Sequence, residues 1–241
     1  MFFARGRSGP VQWAFTDREG GVSTGDFGSL NLGGHVGDDT TAVETNRTRV
    51  AEAVGVDRPR LLFLQQCHGN DVLVVDEPWG PSGPPPADGV VTTTPGLAVA
   101  ALVADCTPVL LADPTAGVVA AVHAGRPGMT SRIVDVAVER MRDLGATEIG
   151  AVVGPSVCGR CYEVPPDMRA EAAAVAPESA AVSWTGTPAI DVASGVVAQL
   201  HAKGVAVQWI PGCARENESL YSYRRDGRTG RFAGVVVLDR A

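Results

Sequence analysis

Histidine and lysine are scarce in this 241-residue chain, which has 4 His and a single lysine, Lys203. Basic charge is in deficit too, with Lys+Arg 20 against Asp+Glu 27 and a formal net charge of -7. That balance offers no positive field for a polyanion and argues against a nucleic-acid partner. No window approaches the ~20 consecutive apolar residues of a membrane-spanning helix, and the opening MFFARGRSGPVQWAF lacks the continuous apolar stretch of a secretory signal. The expectation is a soluble, cytoplasmic protein with no membrane partner. Cysteine is present in an odd number, 5, which argues against a disulfide framework and for reduced thiols free to act as ligands or nucleophiles.

What is there is ordinary globular material, 45% hydrophobic, long enough to bury a sizeable core. Pro/Gly-rich stretches at Glu77 to Gly89 and Cys158 to Asp167 read as loops rather than interdomain linkers. Between them GLAVAALVADCTPVLLAD and GVVAAVHAG are short apolar runs of the kind buried on both faces of a sheet. MTSRIVDVAVERMRDLG then places Ile133, Val134, Ala137, Val138 and Met141 on one helical stripe, with Gly145 as its stop. A strand over Ile149 to Pro155 and helices in DMRAEAAAVAP and DVASGVVAQLHAKG follow. LYSYRRDGRTGRFAGVVVL, with its Asp-Gly pair, reads as a hairpin or tight turn. Strands and helices mixed along the whole length predict one α+β or α/β domain over 1–241.

Eighteen residues from Cys106 to His123 are almost entirely apolar, Gly and Pro, yet one of the few Cys and one of the few His stand at their ends. His68 follows the apolar RLLFL and precedes Gly69, His123 precedes Ala124-Gly125, and Cys106 precedes Thr107-Pro108, so all three belong where strands give way to turns. Two imidazoles and a thiolate at strand ends are what a zinc site with an open fourth position requires. The same residues serve equally as a Cys106–His123 nucleophile and base without metal. The separations of 38 and 17 residues decide neither way. Cys158 and Cys161 have CxxC spacing, but no second CxxC completes a zinc knuckle, and they read as two unconnected loop thiols. Arg224, Arg225, Arg228 and Arg231 around a turn are either solvated or an anion site. His35 and His201 have no comparable context, and the Gly-rich segment carrying Ser29 and Asn31 is neither a Walker loop nor a dinucleotide fingerprint.

Taken in order, GGVS, SLNLG, VGDD with Asn46-Arg47, QCHGNDV, ADCTPVLLAD, VHAG, GPSVCGRCYEV and YSYRRDGRTGRFA resemble the motifs of the laccase-domain family once called multicopper polyphenol oxidases, from about Thr16 to Ala233. The resemblance implies an α+β fold, a mixed β-sandwich flanked by helices in αββα layers. It implies a purine nucleoside phosphorylase acting on adenosine, inosine, guanosine and methylthioadenosine, with adenosine deaminase as a second activity and nucleoside and phosphate as partners. Bacterial members are also described as peptidoglycan editing factors. By the same resemblance the metal ligands and catalytic residues are His68, Cys106 and His123, the cofactor is zinc with copper as the lesser choice, and Asn31, Arg18, Arg47 and Arg126 bind substrate. The family commonly reads HAGWRG where this chain has HAGRPG, so a Trp is missing and Arg126 stands one position early. Three rivals are weighed against this: a copper oxidase, for which 4 His are too few; a metal-free cysteine hydrolase using Cys106 and His123; and an editing hydrolase acting on cell-wall precursors.

Overall fold

The computed structural model describes residues 1–240. Thirteen strands, β1 (Phe2–Ser8), β2 (Val11–Thr16), β3 (Leu61–Phe63), β4 (Val72–Val74), β5 (Gly89–Thr92), β6 (Ala98–Val103), β7 (Thr107–Asp113), β8 (Val118–Ala124), β9 (Gly150–Val153), β10 (Ala180–Val182), β11 (Pro188–Ile190), β12 (Ala206–Trp209) and β13 (Phe232–Leu238), build two principal sheets. One has the order β1-β2-β13-β6-β3 and the other β12-β9-β7-β8-β5-β4, with β10 and β11 forming a small separate pair. Both large sheets are mixed: β3 lies parallel to β6 and β9 parallel to β12, while the β7–β8 pair and both flanks of β13 are antiparallel.

Strand alternation assigns the layers. In β8, Val119 and Ala121 join Val99, Ala101, Leu110 and Val236 in the core between the sheets. Val118, Ala120 and Val122 turn the other way and pack on α3 (Ile133–Asp143) and α5 (Val192–Ala202). Across the sandwich Ala98, Ala100 and Leu102 of β6 and Val235 and Val237 of β13 pack on Val50, Ala51 and Val54, at the end of α1 (Thr40–Ala53). The result is helix, sheet, sheet, helix, the αββα order implied by the resemblance. With both faces covered, β6, β8 and β13 are apolar or glycine along their length apart from His123 near the end of β8, which is why their sequences are runs and not alternations.

The predicted stripe Ile133, Val134, Ala137, Val138 and Met141 is fully buried, with Gly145 at φ 93 just past the end of the helix. The helix predicted from Met129 is two helices, α2 (Arg126–Thr130) and α3, because Arg132 takes a left-handed φ of 60 between them. Helix α4 (Pro166–Val175) and α5 stand where predicted, the latter with the Asp191 carboxylate accepting from the Ser194 N–H. Of the hairpin or tight turn expected around Asp226-Gly227, the turn is present, with Gly227 at φ 69, and the hairpin is not. Asp105 accepts from the Arg224 N–H and Ser222 from that of Arg225, winding a short α6 (Tyr223–Asp226). The chain then turns at Gly227 into β13, whose two edges pair antiparallel with β2 and β6 instead of with the preceding residues.

Candidate functional site

Alternation along β8 puts His123 on the same face as Val119 and Ala121, at the strand end where the seam between the sheets opens. Cys106 lies in the short link by which the chain crosses from β6 in one sheet to β7 in the other, and Pro108, two residues on, is registered opposite His123. Asp105 takes a positive φ of 97 to make this crossing, its carboxylate accepting from Ser222 Oγ and the Arg224 N–H. His68, on the loop between β3 and β4, also has a positive φ, 62. The three residues come together: one potential ligand atom from each lies within 4.8 Å of the other two, Cys106 Sγ is 3.9 Å from His68 Nε2, and the imidazoles stand edge to face with centroids 4.8 Å apart.

Asp88 holds this arrangement and was missed. Its buried carboxylate accepts from the backbone N–H groups of Cys67 (3.2 Å), His68 (2.9 Å) and Gly69 (2.7 Å), and faces His123 Nδ1 at 2.7 Å. One side chain therefore fixes both the loop that carries His68 and the orientation of His123, whose Nε2 is left available as a ligand. PADGVV offers no local signal of this role, because every contact except its neighbouring strand is distant in sequence. Gly125 supplies the space: a Cβ there would sit 2.9 Å from His68 Cδ2 and 3.2 Å from Cys106 Sγ.

Charge follows from this packing. Burial would lift the Asp88 carboxyl, but hydrogen bonds from His123, Cys67 and Gly69 outweigh it and hold the group well below the ordinary carboxylate range. Burial would raise the Cys106 thiol, yet the His123 and His68 imidazoles bring it down to about 6. Burial likewise opposes charge on His123, while the Cys106 thiolate and Asp88 lift it to about 9. Without a metal, both shifts run in the direction of a thiolate–imidazolium pair.

The three residues lie on the wall of a cleft of about 430 Å³ whose lining includes His35, Asp105, Arg126, Val157, Tyr162, Tyr223, Arg224 and Arg231. Of the residues expected to bind substrate, Arg126 is in this cleft. Arg18 instead donates to Gly28 O and stacks on Tyr221, and Arg47 donates to Leu32 O and Glu44 and stacks on Phe63; both lie outside the cleft lining. Asn31 is fully buried and its side-chain oxygen accepts from the N–H groups of Gly33 and Arg231, so it bears on the cleft through Arg231. The arginine cluster divides. Arg224, stacked on Tyr162, and Arg231 face the cleft, whereas Arg225 is consumed by the carbonyls of Ala214, Arg215, Asn217 and Leu220, and Arg228 rests on Phe27.

Two imidazoles, one thiolate and no fourth protein ligand, with a hydrogen-bonded carboxylate behind one imidazole, fit a zinc ion with an open coordination position. A centre of several copper ions does not fit, since His35 and His201 are the only other histidines and His201 is on the exposed face of α5.

Residues 12–239 match the family described as multi-copper polyphenol oxidoreductase laccase. A Streptomyces griseus protein named purine nucleoside phosphorylase is 55% identical over 236 residues, 96% of each chain. Another of that name from Corynebacterium glutamicum is 45% identical over 97% of each. Among solved structures, the Neisseria meningitidis protein NMB0706 superposes with a TM-score of 0.86 at 32% identity over 100% of each chain. YlmD from Geobacillus stearothermophilus also gives 0.86, at 29% identity over 99% of each.

Proposed function

The chain belongs to the multi-copper polyphenol oxidoreductase laccase family, and from that premise we propose that it is a zinc-dependent purine nucleoside phosphorylase. Its substrates on this reading are adenosine, inosine, guanosine and methylthioadenosine with inorganic phosphate, and adenosine deamination is a side activity of the same site. The observation that carries the proposal is the convergence of His68, Cys106 and His123 on a cleft that also presents Arg126, Arg224 and Arg231. The names of the relatives support the phosphorylase part of this reading.

In phosphorolysis a phosphate oxygen forms a bond to the ribose anomeric carbon while the bond from that carbon to the purine nitrogen breaks, and the departing purine takes the electron pair and a proton. Arg126, Arg224 and Arg231 are the groups to bind the phosphate dianion and orient it, guanidinium being suited to paired hydrogen bonds with phosphate oxygens. Tyr223, and the face of Tyr162 that Arg224 does not cover, are the aromatic surfaces of the cleft lining that this reading assigns to the purine. Zinc, held by His68, Cys106 and His123, supplies Lewis-acid chemistry and eases deprotonation of an oxygen nucleophile, which suits the deamination branch. Asp88 keeps His123 in the tautomer that presents Nε2.

A second reading, a metal-free cysteine hydrolase, is favoured by the depressed Cys106 thiol beside His123, whose pKa is raised. One experiment separates the two. Zinc is counted in protein purified without added metal, wild type beside Cys106→Ala, and adenosine is then supplied with and without phosphate. Loss of one zinc per chain in the variant, with wild-type adenine release only when phosphate is present, is the expected result. Activity that persists in protein stripped of zinc but still requires Cys106 would replace the phosphorylase reading by the hydrolase.

A further inference from the structure

Sequence spacing left Cys158 and Cys161 as unconnected thiols for want of a second half-site, and the fold supplies one. Cys213 and Glu216 come to the same place, and the ligand atoms of all four residues lie within 4.8 Å of one another. We propose that Cys158, Cys161, Cys213 and Glu216 form a second, structural zinc site, distinct from the cleft site and closed by four protein ligands.

The two halves are built alike. CGRC and CARE each set their ligands three residues apart. Each is a turn in which the first cysteine's carbonyl accepts two N–H groups: Cys161 (2.9 Å) and Tyr162 (3.1 Å) onto Cys158 O, Glu216 (3.2 Å) and Asn217 (2.9 Å) onto Cys213 O. Such turns bring the two ligands of a half-site onto one side, as in a zinc knuckle. The halves are registered by a parallel bridge between Ser156 and Cys213, with Ser156 N–H donating to Gly212 O and Ala214 N–H to Ser156 O. Across the gap the Cys158 N–H points at Cys213 Sγ (3.5 Å) and Cys161 Sγ lies 3.3 Å from Glu216 Oε1.

Trp184 Nε1 donates to the same Glu216 oxygen at 3.0 Å, placing the carboxylate from outside as an outer-shell partner does. Three thiolates and a carboxylate carry more negative charge than one zinc neutralises. Arg215, which reaches Cys161 O, and Arg160, stacked on Trp184, stand beside the cluster to offset it. With Zn–S near 2.3 Å, tetrahedral sulfurs stand about 3.8 Å apart, so closing on the ion asks the ligand atoms to draw in by about an ångström at most. All five cysteines are free thiols, and any disulfide here would strand the third sulfur with Glu216.

The site clasps the two loops that back one wall of the cleft. Val157 and Tyr162, which line the cleft, are the immediate neighbours of Cys158 and Cys161, and the Val157 N–H donates to Asp105 O beside Cys106. The role is to hold that wall in place, with no contact to the reacting atoms.

The test uses the full chain carrying Cys106→Ala, which silences the cleft site and leaves the second. Zinc counted by native mass spectrometry should be two per wild-type chain, one in Cys106→Ala and none when Cys213→Ser is added. Cobalt exchanged into Cys106→Ala should show thiolate-to-metal charge transfer and the strong visible absorption of a tetrahedral ion. Because Cys213→Ser could fail to fold, the wild type is also alkylated: Cys158, Cys161 and Cys213 should be protected together and become reactive together on adding a chelator. A folded Cys106→Ala chain that holds no zinc and gives no cobalt spectrum would overturn the proposal, as would a disulfide among the three cysteines. If instead Cys106→Ala lost no zinc, the cleft reading would fail and this one would stand.

Discussion

Asp88→Asn separates the role of one carboxylate from the ligands it orders. The substitution turns one oxygen position into an NH2. If the remaining oxygen stays opposite His123, two amide hydrogens face the Cys67 and Gly69 N–H groups, 3.2 and 2.7 Å away. If the amide flips, it faces the His68 N–H and loses His123. Either way two donors lose their acceptor, at about 1–3 kcal/mol each when buried and less where the exposed His68 loop admits water. A loss of about 2–4 kcal/mol follows, which for a domain of this size lowers Tm by about 4–16 °C. The zinc affinity of the cleft site should fall about 10–100-fold, the usual cost of removing an outer-shell partner. Tm is read by calorimetry with and without chelator, and zinc affinity by competition with a chromophoric chelator. An Asp88→Asn protein that melts with the wild type and binds zinc as tightly would refute the reasoning.

Two other substitutions test neighbouring parts of the argument. Gly125→Ala adds a methyl against His68 and Cys106 at a residue whose φ of -77 any amino acid accepts, so zinc affinity should fall about tenfold in the same competition assay while Tm moves by no more than a few degrees. Asp113 is fully buried and caps four N–H groups, those of Thr115 and Ala116 on one oxygen and of Thr147 and Glu148 on the other. Asp113→Asn should cost about 3 kcal/mol in urea unfolding at neutral pH. Burial opposes ionisation of Asp113 but the four backbone donors prevail, and its folded pKa lies below the ordinary value. Its contribution is therefore present above the ordinary carboxylate range and is lost as pH falls through the depressed value, so the gap between wild type and variant should narrow on acidification.

His68, Cys106 and His123 were legible as candidates because their chemistry is rare in this chain: with 4 His and 5 Cys, a strand end bearing one stands out, although only the resemblance singled out a metal site over a Cys–His pair. Sheet layers were legible only through the resemblance, since runs such as those of β6 and β8 show burial on both faces but not which faces meet. Asp88 escaped because an aspartate before a glycine is an ordinary turn residue, and its purpose lies in partners 19 to 35 positions away. The arginine cluster misled as a group. Its members are adjacent in sequence, but α6 winds them, so that Arg224 meets the cleft while Arg225 ties down the loop at Ala214 to Leu220. For the pair Cys158 and Cys161 the missing half-site has the form CxxE, and a search for a second CxxC passes over it.

The place of β13 constrains how the chain can assemble. It lies between β2, formed from residues 11–16, and β6, and supplies the antiparallel neighbour of both. Until residues 232–238 exist, the β1–β2 hairpin has no hydrogen-bonding path to the rest of its sheet, and closing that contact spans more than 200 residues of chain. Long closures of this kind are slow relative to local ones. During synthesis the β1–β2 hairpin therefore waits with a strand edge unpaired while more than 200 further residues are translated, the period in which it most needs protection from pairing with another chain.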